Sequence, residues 1–70
     1  MKTEQQIVDG CNALARNFYL MHECQVPDGH KFYEATHPME VLMWNLAVHA
    51  YDHIEGTDVA DALSQVLDDA

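Results

Sequence analysis

Two histidines, His49 and His53, stand four residues apart with Asp52 between them. On a helix that spacing turns both rings to one side, where they could converge on a single metal ion. Zinc helices that catalyse hydrolysis carry Glu directly after the first His as the general base. This chain reads His49-Ala50-Tyr51-Asp52-His53 instead, so that base is missing. A second group of donors, His22-Glu23-Cys24 with His30 six residues on, lacks a paired Cys-x-x-Cys and matches no familiar ligand spacing. A Cys–His nucleophile also needs an orienting third group and an oxyanion pocket, and the sequence indicates neither. There is no glycine-rich phosphate loop. The expectation is a protein that is not an enzyme, with no catalytic, cofactor-binding or metal-ligating residue assigned and no cofactor.

Charge is the strongest compositional signal. Twelve Asp and Glu oppose three Lys and Arg, a formal net charge of −9. Residues 1–31 hold four acids and three bases, whereas residues 32–70 hold eight acids and no base. With so few cations to replace counterions along a phosphate backbone, direct binding to nucleic acid is excluded as an expectation. An acidic surface is expected at Asp52, Glu55, Asp58, Asp61, Asp68 and Asp69. Such a row solubilises the chain, draws a basic partner, or imitates a phosphate row and blocks a nucleic-acid-binding protein.

These groups must be positioned by helices. Ile7, Cys11, Leu14 and Phe18 recur at helical spacing, flanked by Val8, Ala15 and Tyr19, and predict a first helix over about 3–21. Thr3 and Gln6 have the capping-box spacing. Pro27-Asp28-Gly29 then marks a turn inside an ordered connection over 22–37. A second helix is expected over about 38–55, with Thr36 or His37 as cap, Pro38 in its first turn and Gly56 as its stop. Thr57 is the expected cap of a short third helix over about 58–67, with Asp58 and Asp61 in its first turn. The fold class is all-α, in one domain over 1–70.

The second helix is apolar on two sides. Met39, Leu42, Met43, Leu46, Ala47, Ala50 and Ile54 form one side, and Val41, Trp44, Val48 and Tyr51 the other. A helix apolar nearly all round is normally buried nearly all round, which so short a chain can hardly achieve alone. Either the 22–37 connection and the third helix fold over the Trp44 side, or Val41, Trp44, Val48 and Tyr51 form a homodimer or partner interface. Trp and Tyr are the residue types that dominate binding hot spots.

Seventy residues bury only about 60% of the surface their unfolded chain exposes, so a second subunit is a natural supplement to the core. The polar start, Met1-Lys2-Thr3-Glu4-Gln5-Gln6, precedes no exported or membrane-spanning run. The expectation is a cytoplasmic protein that does not engage a membrane, with Cys11 a small buried apolar residue rather than half of a disulfide with Cys24.

The stretch Lys31-Phe32-Tyr33-Glu34-Ala35-Thr36-His37-Pro38-Met39-Glu40, continuing through Trp44-Asn45 to Gly56-Thr57-Asp58-Val59, resembles short accessory proteins encoded by enterobacterial phages and prophages. The resemblance covers about the middle half of the chain. It implies a non-enzymatic cytoplasmic protein that binds another protein, and it carries over no residue role. Three readings therefore stand at the level of sequence: a protein-binding accessory factor, an acidic mimic of nucleic acid, and a helical metal-binding domain.

Overall fold

The computed structural model describes residues 2–21, 26 and 29–68. Three α-helices follow in order, α1 (Glu4–Leu20), α2 (Pro38–Glu55) and α3 (Val59–Asp68), with one 3-10 turn (Phe32–Glu34) between the first two. No strand occurs among the described residues. The all-α class and the three expected segments are present.

Local chemistry explains the ends of each helix. At α1 the Thr3 hydroxyl accepts from Gln6 N at 3.2 Å, and the Gln6 side chain accepts from Thr3 N at 2.9 Å, so two otherwise orphaned amides are satisfied. At α2 the cap is His37, whose Nδ1 accepts from Met39 N at 3.2 Å, and Pro38 follows in the first turn. The helix ends where Gly56 takes the left-handed conformation at φ 68°, a region closed to most side chains.

The start of α3 differs from expectation by one residue. Asp58, not Thr57, is the cap, its Oδ1 accepting from Asp61 N at 3.0 Å. Thr57 is engaged elsewhere: its Oγ1 donates to Asp52 Oδ1 at 2.9 Å, and the same oxygen accepts from Val59 N at 2.9 Å. A carboxylate of α2 thus supplements the cap of α3. That is possible because only Gly56, Thr57 and Asp58 separate the two helices.

α1 packs against both other helices. Its fully buried residues are Val8, Cys11 and Ala15, while Ile7, Leu14, Phe18 and Tyr19 pack partly buried at the margins. The helix is therefore turned so that the expected flanking residues Val8 and Ala15 lie deepest, between two neighbours rather than against one. Phe32 fills the gap above them at 1% exposure, with the Tyr19 and His30 rings edge-on to it at 5.5 and 4.8 Å between centroids. Gly29 has φ 79°, as a turn requires. Pro27 and Asp28, the other members of that expected turn, lie outside the described residues, as do His22, Glu23 and Cys24.

Candidate functional site

α2 buries neither of its two apolar sides whole. Met43, Ala47 and Tyr51, at four-residue spacing, form the buried seam, which takes residues from both. Trp44 and Val48 pack partly buried against the core, and the Tyr33 ring meets Trp44 edge-on at 5.6 Å. Tyr51 is 8% exposed, with Gly10 of α1 against its ring. Of the four residues expected to form an open interface, only Val41 is exposed. Of the two readings of the Val41–Trp44–Val48–Tyr51 side, the packing agrees with cover from within the chain: Tyr33 of the 3-10 turn meets Trp44, and Gly10 of α1 meets Tyr51.

Most of the exposed large apolar side chains lie on the other margin of the seam, with Leu20, Val41 and Leu67 exposed outside it. Met39, Leu42, Leu46 and Ile54 of α2 are exposed, the last at 74%, as is Met21 just beyond α1 at 78%. Met21, Leu46 and Ile54 line a groove between antiparallel α1 and α2, made of two depressions, while Met39 and Leu42 lie about two turns and one turn before Leu46 on α2, outside that lining. One, of about 270 Å³, is lined by Phe18, Met21, Met43, Leu46 and Ala50. The other, of about 290 Å³, includes Gly10, Leu14, Asn17, Tyr51 and Ile54, with Glu55 at its end. Glu55 is the one charged residue lining either depression among the described residues.

That carboxylate is already engaged. Lys2 Nζ lies 3.4 Å from Glu55 Oε2, donates to Tyr51 Oη at 3.0 Å and sits 5.2 Å from the centre of the Tyr51 ring. The hydrogen bond to Tyr51, and then the nearby Glu55 charge, hold the Lys2 ammonium above its ordinary pKa despite some desolvation. The groove is apolar with a neutralised end.

The opposite flank of α1 carries more polar side chains. Gln5, Asp9, Asn12 and Arg16 of α1, residues 29–31 and 33–34, and Val66 and Leu67 of α3 line a cleft of about 490 Å³. Asn12 closes it by a double contact with the connection: Nδ2 donates to His30 O at 2.8 Å and Oδ1 accepts from Phe32 N at 2.7 Å. Arg16 donates to Val26 O at 3.4 Å. His30 Nε2 stands 2.5 Å from Glu40 Oε1 in a part-buried contact without hydrogen-bond geometry. Mid-helix Asn12 reads as solvent-facing in the sequence. The one local signal of its role is its place beside Cys11 and four residues after Val8, both fully buried.

The acidic row separates into different roles. Asp52 is half-buried, and its Oδ1 accepts from Thr57 Oγ1 and from Val59 N. Glu55 is exposed but paired with Lys2, and Asp58 is exposed while it caps α3. Asp61 and Asp68 are exposed on α3, and Asp69 lies outside the described residues.

His49 and His53 are both exposed, whereas Asp52 turns inward to α3. Among the described residues no three His, Cys, Asp or Glu side chains are grouped to hold a metal ion, and no helix is long and apolar enough to cross a membrane. Cys11 is buried, and burial first and the Asp52 charge second push its thiol up to about 12, far from the thiolate a nucleophile needs. Comparison of the chain with protein-family models, with curated proteins and with solved structures finds no match.

Proposed function

We propose that this protein is a non-enzymatic, cytoplasmic accessory factor of the phage type that acts by binding protein through the α1–α2 groove. The observation that carries this reading is the set of large apolar side chains left open along it, Met21, Leu46 and Ile54 in its lining and Leu42 one turn from Leu46 on α2. Scattered exposed apolar residues need no explanation, but a contiguous patch rimmed by polar groups is the usual mark of a docking surface. Exposed Asn45, His49 and His53 supply the polar rim on α2.

Affinity capture from a bacterial lysate, at low and at high salt, tests it. A partner held through the groove is retained at high salt and lost on Leu42→Glu/Leu46→Glu. Capture that survives this pair, yet disappears on Asp58→Asn/Asp61→Asn/Asp68→Asn and at high salt, would transfer the function to the acidic edge and favour mimicry of nucleic acid. If neither set of substitutions changes what is captured, the reading is wrong.

A further inference from the structure

We infer that the occupant of the α1–α2 groove is a second copy of this chain, in a two-fold symmetric dimer with Leu46 near its axis. The inference rests on the groove being a protein-docking face and names what docks there.

The first support is shape. A two-fold interface uses the same patch on both partners, so that patch must carry both a projection and a recess. Here both are adjacent. Met39, Leu42 and Leu46 form an exposed ridge at i, i+3 and i+7 along α2, and beside it lies the recess lined by Phe18, Met21, Met43 and Ala50. Leu46 belongs to both. A two-fold axis at Leu46 would set each ridge over the other copy's recess, with the methionines as side chains that adapt to an apolar partner.

The second support is charge. Two chains of net charge −9 repel whichever faces meet, and least where those faces are poor in carboxylates. Along this groove Glu55 is the lone charge among the described lining residues, and Lys2 offsets it. The exposed carboxylates of Asp61 and Asp68 are on α3, which packs toward the other flank of α1, where Val66 and Leu67 line one cleft with Gln5 and Asp9. A foreign partner recognised by charge would be drawn to that side, whereas the groove offers nothing to select a basic chain over a like one.

The third support is area. An unfolded chain exposes about 1.45 Å² per dalton, so the open fractions of Met21, Met39, Leu42, Leu46 and Ile54 amount to roughly 500 Å². A standard interface takes about 800 Å² from each partner, a little over half of it apolar. The open face therefore supplies the apolar share of one such interface.

Sedimentation equilibrium of the full chain, from micromolar concentrations to about 1 mM, is the test. The expected result is a reversible monomer–dimer equilibrium that tightens as added salt screens the net repulsion. Leu46→Glu should weaken it by at least about thirty-fold, the loss typical of a hot-spot residue, and Asp61→Asn should leave it intact or tighter. Met21→Glu provides a second probe at a side chain 78% exposed beyond the end of α1, with circular dichroism confirming an unchanged helical fold. A wild type that stays monomeric throughout, or a dimer that neither Leu46→Glu nor Met21→Glu weakens, overturns the inference. A monomer that still captures a lysate protein through Leu42 and Leu46 overturns the dimer alone, while a dimer that captures nothing removes the accessory-factor reading and leaves the dimer standing.

Discussion

The ring of Tyr51 lies directly against Gly10, so that a β-carbon at position 10 would stand 2.7 Å from Tyr51 Oη and 2.9 Å from Cε2. The glycine is what lets α1 and α2 approach this closely. Ala is preferred to Gly inside a helix by about 1 kcal/mol, whereas overpacking a fitted contact costs about 1–3 kcal/mol. The contact wins, because Tyr51 is buried and its hydroxyl is tied to Lys2. Gly10→Ala should therefore lower stability to urea by about 1 kcal/mol net. The loss should shrink in a Tyr51→Phe background, where the nearest atom is gone.

Asn12 meets two backbone groups of the connection, one through each end of its amide. Removing it leaves the His30 carbonyl and the Phe32 amide without that partner, at about 1 kcal/mol each. Asn12→Ala should cost about 2 kcal/mol in chemical denaturation, with faster hydrogen exchange at the Phe32 amide. Asn12→Asp should rescue little, since it keeps the acceptor but sets a second oxygen against the His30 carbonyl. Full stability in the Asp variant would show that the donor half of the contact contributes nothing.

Asp52 joins the two C-terminal helices. Asp52→Ala should destabilise by about 1–2 kcal/mol, as loss of a capping side chain does, and should raise exchange at the Val59 amide before it affects amides in α1. Asp52→Asn, which keeps an acceptor oxygen, should fall between Ala and wild type. Uniform exchange across all three helices in the Ala variant would mean that the cap is not local to α3.

The buried thiol has a consequence at alkaline pH. Burial, and then the charge of Asp52, raise Cys11 from its ordinary 9.0 to about 12 in the folded chain. Above about pH 9 the unfolded chain loses this proton while the folded chain retains it, so stability falls as pH rises. The Cys11 contribution is intact below pH 9 and declines progressively up to about pH 12. Denaturation midpoints measured across this range should fall more steeply for wild type than for Cys11→Ala. At neutral pH a thiol reagent should label Cys11 no faster than the chain opens.

Helix ends were legible in the sequence because their causes are local. Thr3 with Gln6, Pro38 and Gly56 each act within one turn, and α2 occupies the span its punctuation marks. The orientation of α2 was not, because apolar residues on two sides leave the inward direction to the neighbours. Those neighbours are Gly10, which admits the Tyr51 ring, and Tyr33, which meets Trp44. The shift of the α3 cap from Thr57 to Asp58 was hidden for a related reason. Thr57 is drawn to a carboxylate five residues back, a choice that depends on the angle between two helices. Asn12 gave no periodic signal, since a polar residue beside the core looks like any other edge of an amphipathic stripe.

The Asn12 clamp grips main-chain atoms at residues 30 and 32 and no side chain there. Identity and path are thereby uncoupled at Lys31 alone: its neighbours Phe32 and His30 are also held by their side chains, in the core and against Glu40, whereas the grip of Asn12 uses groups common to nearly every amino acid. Exposed Lys31, between the two gripped positions, takes no part in the grip, whereas a change at position 12 removes one or both of its bonds. The rim of the polar cleft is thus a place where new surface chemistry can be written while the scaffold beneath it stays fixed.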